Sequence, residues 1–179
     1  MKKCLLFFLF VCTSVFAQQD IDINDLNWLP NSHSFWVNKD NSVVVYNVDK
    51  LDKQSTILSK SQLTAAGFKG EIEKLVWNDS KTKVLVYTNS KKVWRENTKG
   101  DYWFFDLTTG KGKQLGKSLD ASSLMFAKFS SDNENVAYVS KHNIYVENLN
   151  TGKITPLTTD GTDKIINGTF DWVYEEELA

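Results

Sequence analysis

The residues with the clearest chemical potential form an acidic run, Glu175-Glu176-Glu177, which follows the aromatic stretch Asp171–Tyr174. Three adjacent carboxylates repel one another unless water or a cation neutralises them. Taken alone, the run is explained more simply as the exposed acidic end of a helix. The second feature is Arg95, which follows Trp94. An arginine beside aromatic residues is usually a surface residue whose aliphatic stem packs against them.

Other motifs that carry chemistry are absent from the sequence or incomplete. The nearest approach to a serine nucleophile elbow is Gly116–Asp120, which lacks the second glycine of G-x-S-x-G. The glycines of Gly110–Gly116 have the wrong spacing for a dinucleotide loop and are better interpreted as a hairpin turn. His33 and His142 are isolated, so neither a metal site nor a cofactor is expected.

The first 17 residues are predicted to be an export signal rather than part of the fold. Lys2-Lys3 forms a positive region, Leu5–Val11 is apolar, and the segment ends on Ala17 as a signal peptidase site requires. An uncleaved membrane anchor and a lipoprotein are the less favoured alternatives. Cys4 and Cys12 both lie in this segment, so the rest of the chain has no disulfide. We expect a periplasmic, cell-surface or extracellular protein.

The composition indicates a folded chain. Of its 179 residues, 41% are hydrophobic and 13% aromatic, which excludes intrinsic disorder. The 21 basic and 22 acidic residues give a net charge of −1, so nucleic acid is not an expected partner.

Short runs rich in β-branched and aromatic residues predict an all-β fold. These runs are Val43–Tyr46, Val84–Tyr87, Tyr102–Phe105, Val136–Val139 and Asn143–Val146. Turn signals lie between them, as in Asn38–Asn41, Asn78–Ser80, Thr108–Gly110, Ser131–Asn133 and Asn150–Gly152. One short helix is predicted near 59–66, where Ser59 and Gln62 have capping-box spacing and Gly67 provides a stop.

The strand pattern also repeats. Trp77–Tyr87 aligns with Phe129–Tyr138, and Trp28–Val37 is a looser copy, so an aromatic anchor recurs about every 50 residues. Each unit has an aromatic residue, a polar turn and further strands. This period predicts β-propeller blades of four antiparallel strands, and residues 18–179 would form about three of them. A complete propeller has at least four blades, so we expect an incomplete propeller. A β-sandwich is the alternative.

Residues 91–177 closely resemble the N-terminal propeller of the dipeptidyl peptidase IV family of serine exopeptidases. The matching runs are Lys92–Arg95, Gly100–Trp103, Ala127–Ser130, Val136–Val139, Asn143–Val146 and, above all, Ile165–Glu177. Residues 28–90 match more loosely. The resemblance covers nearly all of the chain after the export signal, but only the beginning of a family member.

The resemblance implies a function for the acidic run. In this family a double Glu binds the free α-ammonium of the substrate, and the matching residues are Glu176 and Glu177. The family arginine, which holds a substrate carbonyl oxygen, matches Arg95. Because neighbours on a helix can both reach one ammonium whereas strand neighbours point oppositely, we expect a short helix at 174–178.

The resemblance also implies what lies elsewhere. The catalytic Ser, Asp and His belong to a C-terminal α/β-hydrolase domain, and none matches a residue of this chain, so no catalytic residue is assigned. We expect the N-terminal fragment of an exported enzyme that removes X-Pro or X-Ala dipeptides from peptide N-termini. Its partners would be a peptide with a free N-terminus, the hydrolase domain and, since family members often dimerise, a second copy. A non-catalytic secreted propeller that acts as a binding module is the alternative.

The first prediction concerns stability. About three blades without ring closure leave an open blade face and unpaired strand edges. Residues 18–179 in isolation are therefore expected to aggregate or to be only partly ordered. Sedimentation and thermal melting followed by circular dichroism check this, and a sharp, reversible melt of a monomer would contradict it.

Overall fold

The computed structural model describes residues 26–29, 32–170 and 173–174, in which β-strands dominate. The strands form three consecutive antiparallel groups of four, here called blades 1, 2 and 3. Blade 1 is β1 (Asn27–Trp28), β2 (Ser34–Lys39), β3 (Ser42–Asn47) and β4 (Lys50–Leu58). Blade 2 is β5 (Lys74–Trp77), β6 (Lys83–Lys91), β7 (Lys99–Asp106) and β8 (Lys111–Gln114). Blade 3 is β9 (Leu124–Phe129), β10 (Asn135–Ser140), β11 (Asn143–Asn148) and β12 (Ile154–Pro156). The predicted all-β fold, with about three four-stranded units that do not close on themselves, is confirmed.

The sequence repeat corresponds to one hairpin, and blades 2 and 3 close its turn in the same way. Trp28, Trp77 and Phe129 are the last residues of β1, β5 and β9. The turn that follows is closed by a polar side chain: Asn78 Oδ1 accepts from Lys83 N at 2.8 Å in blade 2. In blade 3, Ser130 Oγ accepts from Asn135 N at 3.0 Å. The repeat is therefore a repeat of turn chemistry as well as of apolar residues.

The helix predicted near 59–66 is confirmed as α1 (Lys60–Ala65). Ser59 and Gln62 form the capping box, because Gln62 N donates to Ser59 Oγ and Ser59 N donates to Gln62 Oε1 at 2.9 Å. Gly67 ends the helix with a φ of 91°. Of the helix predicted at 174–178, Tyr174 is helical together with Val173, and residues 175–178 lie outside the described residues.

Two apolar layers hold the blades together. Along β6, Val84 and Val86 point into the layer between blades 1 and 2, whereas Leu85 and Tyr87 point into the layer between blades 2 and 3. Burial of each such side chain contributes about 1.5 to 3 kcal/mol. A strand that is buried on both faces has apolar residues at successive positions of its sequence, which explains the run Val84–Tyr87.

Blades 2 and 3 are also joined by a few directional contacts. Lys99 and Gly100 at the start of β7 pair with Met125 and Leu124 of β9, which connects the two blades into one sheet. This pairing was not predicted from the sequence, which indicated separate blades. It fixes the start of β7 against β9, the first strand of blade 3.

The second joint between these blades is a carboxylate that is almost fully buried. Glu147 on β11 is 3% exposed. It accepts from Gly116 N at 2.8 Å and from the Tyr138 hydroxyl at 3.2 Å. Lys113 Nζ, from β8, lies 3.3 Å from its other oxygen. Two donors from blade 2 and one from blade 3 thus meet on a single side chain.

The second prediction tests this joint. Glu147→Ala leaves the buried donors without an acceptor and is expected to lower the free energy of unfolding by about 3 kcal/mol. The matched control is Glu134→Ala, which removes an exposed carboxylate from the β9–β10 turn. Urea unfolding followed by tryptophan fluorescence, in protein expressed from the complete reading frame, measures both. Equal midpoints for the two variants would show that the joint is not needed.

Candidate functional site

Arg95 lies at the tip of the hairpin that connects β6 to β7, here called the Arg95 hairpin (residues 91–99). The tip is a tight bend in which Val93 N donates to Glu96 O at 3.1 Å. Arg95 is exposed, and Trp94 beside it is 49% exposed. The structure therefore places the predicted arginine where a ligand can reach it.

The base of the hairpin is fixed by two tyrosines. The Tyr87 hydroxyl donates to Asn97 O at 2.8 Å, and the rings of Tyr87 and Tyr102 lie 4.7 Å apart. Burial raises the pKa of Tyr87, and Tyr102, Glu73 and Asp101 raise this pKa further, so the hydroxyl stays a donor. Gly100 allows the close approach, because a Cβ there would lie 2.5 Å from the Tyr87 ring.

Asp101 ties the hairpin to blade 3. Its Oδ1 accepts from Ser122 N at 2.6 Å, and its Oδ2 accepts from Asn89 Nδ2 at 2.7 Å. Ser122 Oγ in turn donates to Asn89 O at 2.9 Å. Ser122 precedes β9 and is 2% exposed, so one carboxylate connects both strands of the hairpin to a buried part of blade 3.

The segment that leads toward the acidic run crosses blade 3. Asn167 binds the β10–β11 turn, because its backbone N and its side-chain Nδ2 each donate to His142 O at 3.1 Å. Gly168 follows with a φ of 78°, and a Cβ there would lie 2.6 Å from Val139. Only glycine fits this conformation at this separation.

Two residues later the segment reaches β9, the first strand of blade 3. The Phe170 ring lies edge-on to the Phe126 ring of β9, with 6.4 Å between centroids. The residues of β9 that precede Phe126, Leu124 and Met125, pair with the base of the Arg95 hairpin. The hairpin and the segment therefore converge on three consecutive residues of β9.

The outcome for the predicted site residues is mixed. Arg95 is placed as described above, whereas Glu176 and Glu177 lie outside the described residues, and their role stays a prediction. Val173 and Tyr174, which precede the acidic run, are helical and exposed. The sequence assigned no role to Asp101, Ser122 or Phe126, because their partners are distant in the chain.

A cavity of about 530 Å³ opens beside this region, between residues of β1, β5 and β9. Its lining includes Trp28, Lys74, Trp77, Phe126 and Lys128. Among the described residues, no group of three or more His, Cys, Asp or Glu side chains could hold a metal ion. In the same part of the chain, no helix has the length and apolar character needed to cross a membrane.

Comparisons with known proteins agree on one family. Residues 78–179 match the family model described as the "Dipeptidyl peptidase IV (DPP IV) N-terminal region". A relative from Aspergillus terreus, "Probable dipeptidyl-aminopeptidase B", is 31% identical over 126 residues, which is 70% of this chain and 14% of the relative. A protein of the same name from Arthroderma otae is 38% identical over 100 residues, 56% of this chain and 11% of that protein.

A solved structure supports the fold. The crystal structure of Porphyromonas gingivalis dipeptidyl peptidase 4 superposes with a TM-score of 0.73 at 24% identity, over 86% of this chain and 22% of that one. At this identity the likeness establishes the propeller fold and not the activity. The chain thus spans a small part of the proteins that it matches, about one seventh of the Aspergillus relative.

The third prediction concerns the connection through Asp101. Asp101→Ala removes both hydrogen bonds to the carboxylate, so the Arg95 hairpin should open more often. Trypsin can cut the hairpin after Lys91, Lys92 and Arg95, and the cleavage rate there is expected to rise about tenfold.

The matched control is Asp106→Ala on the same strand. Asp106 accepts from Thr108 and Thr109 in the β7–β8 turn and does not contact the hairpin. Mass spectrometry of the first cleavage products separates the two sites. Equal cleavage rates in the hairpin for both variants would show that Asp101 does not hold it.

Proposed function

The chain belongs to the dipeptidyl peptidase IV N-terminal region family, and we propose that it binds the N-terminal end of peptide substrates for an exported serine exopeptidase. The enzyme would remove X-Pro or X-Ala dipeptides. Hydrolysis would be carried out by a C-terminal α/β-hydrolase domain in the same protein. The predicted export signal at residues 1–17 supports a location outside the cytoplasm.

One observation carries this proposal. The Arg95 hairpin pairs with β9 through Leu124 and Met125, and the segment that leads to Glu176 and Glu177 contacts β9 at the next residue, Phe126. Residues 95 and 170 are far apart in sequence, yet the hairpin that carries Arg95 and the segment that contains Phe170 meet on one strand. This arrangement supports a common site for the guanidinium and the two carboxylates.

The chemistry of such a site suits a peptide N-terminus. The α-ammonium has three N–H donors and a positive charge, so two carboxylates can each accept a charge-assisted hydrogen bond from it. Its charge also relieves the repulsion between Glu176 and Glu177. The Arg95 guanidinium is a donor only, which suits a substrate carbonyl oxygen.

The same geometry would set the length of the product. If the ammonium is held at a fixed distance from a nucleophile on another domain, that distance determines how many residues are removed from the N-terminus. The helical conformation of Val173 and Tyr174 supports a helical turn at the acidic run, where neighbouring side chains can reach one ammonium.

The fourth prediction tests the carboxylates in protein expressed from the complete reading frame. Glu176→Gln and Glu177→Gln keep the shape of the side chains but remove the charge, so each is expected to lower kcat/KM about 100-fold on a Gly-Pro amide substrate. Glu134→Gln, which changes an exposed carboxylate on the β9–β10 turn, is the matched control and is expected to retain the original rate.

A second substrate makes this test specific. An N-acetylated Gly-Pro amide has no ammonium, so its slow hydrolysis should not depend on Glu176 or Glu177. Unchanged kcat/KM of the Gln variants on the free amine would refute the assigned role. A complete reading frame without a downstream G-x-S-x-G motif, and without hydrolysis of the amide, would instead favour the non-catalytic binding module.

A further inference from the structure

Phe126 has a backbone conformation that is unusual for an aromatic residue. Its φ is 54°, in the left-handed region that glycine and asparagine normally occupy. The pairing of β9 with β10 is regular at Phe129 and Lys128, which oppose Val136 and Ala137, and then shifts before Met125 opposes Val139. Phe126 therefore lies in a β-bulge.

The bulge changes the direction of one side chain. Leu124 and Ala127 are both 2% exposed and belong to the apolar layer between blades 2 and 3. Phe126 is only half-buried, and its ring meets Phe170 edge-on with an interplanar angle of 71°. Bulges commonly redirect a side chain next to a functional site, and strained backbone is retained where the surrounding structure requires it.

The contact holds the segment at a second point. Asn167 and Gly168 attach it to the β10–β11 turn, and Phe170 attaches it to β9. Phe170 is otherwise 62% exposed, so its contact with Phe126 is not part of a blade core. Without it, the path from residue 168 to the acidic run would be set by the first attachment alone.

We propose that Phe126 is a positioning residue: through Phe170 it holds the segment that leads to Glu176 and Glu177 in place relative to the Arg95 hairpin. The inference rests on the proposed function, since it concerns the same site. Leu124 and Met125 of β9 pair with the base of the Arg95 hairpin, and the next residue, Phe126, contacts Phe170. One short piece of strand therefore holds both the hairpin and the segment.

The first test is kinetic and uses protein expressed from the complete reading frame. Phe170→Ala is expected to raise KM for a Gly-Pro amide about three- to tenfold, the range that an aromatic pair supplies, with little change in kcat. The matched control is Leu157→Ala, because Leu157 is also 62% exposed and follows β12 of the same blade. Its KM should not change.

Variants of Phe126 separate positioning from stability. Phe126→Gly removes the ring but suits the positive φ, so relief of backbone strain offsets part of the lost burial; the melting temperature should change little while KM rises as in Phe170→Ala. Phe126→Tyr keeps the ring, so its KM should equal that of the unsubstituted protein. The double variant Phe126→Gly/Phe170→Ala should have the same KM as either single variant, because each substitution removes the same ring contact.

The second test measures the distance directly. Nitroxide labels on Lys92→Cys and Ala179→Cys flank the site without replacing Arg95, Glu176 or Glu177. Pulsed electron paramagnetic resonance should give one narrow distance distribution, and Phe170→Ala should broaden it. Equal widths with and without Phe170 would overturn the positioning role.

The outcomes also distinguish the two proposals. If Glu176→Gln and Glu177→Gln impair hydrolysis but Phe170→Ala behaves like Leu157→Ala in both tests, the positioning role is wrong and the proposed function stands. If the Gln variants have no effect, the proposed function is wrong, and the distance distribution alone then decides whether Phe126 holds the segment.

Discussion

Burial of both faces of each blade is the constraint on which the rest of this structure depends. A four-stranded sheet with apolar residues on both sides is stable only between two neighbours. In β6 alone, Val84 and Val86 require blade 1, and Leu85 and Tyr87 require blade 3. This requirement stacks the blades side by side. It also brings the Arg95 hairpin of blade 2 within reach of β9 in blade 3.

Apolar packing does not by itself fix how one blade is placed against the next, because it is not directional. Buried polar contacts supply that information here. Glu147 accepts hydrogen bonds from both blades, and Asp101 binds Ser122 across the joint, so a shift of one blade would leave donors without acceptors. The pairing of Lys99 with Met125 adds backbone hydrogen bonds beside the contact between Asp101 and Ser122. The relative position of the two blades is thus set at two places, one beside the Arg95 hairpin and one at Glu147.

Much of the fold could be predicted from the sequence because its signals are local. The aromatic anchors Trp77 and Phe129, the capping box at Ser59 and the turn at Asp40-Asn41, where both residues have positive φ, follow from nearby residues. Long-range features could not be predicted in this way. The bulge at Phe126 depends on β10, and the contact between Asp101 and Ser122 depends on the packing of two blades. Of the candidate site, the sequence indicated Arg95 and the two glutamates only through a family resemblance, and it did not indicate what positions them.

In the proposed function, the strength of the site depends on how rigidly its parts are held rather than on how many contacts they make. A carboxylate pair binds an ammonium in many surface settings, but counting residues from that end requires a fixed distance to the nucleophile. A misplacement of about 1 Å can reduce a rate 100-fold. Loops vary in position far more than strands do. Here the Arg95 hairpin continues two strands of blade 2, and the segment toward Glu176 is attached to blade 3 at Asn167 and Phe170. Attachment to β9 gives loop residues the precision of a strand, and in the proposed function this precision is the advantage that offsets the strained backbone at Phe126.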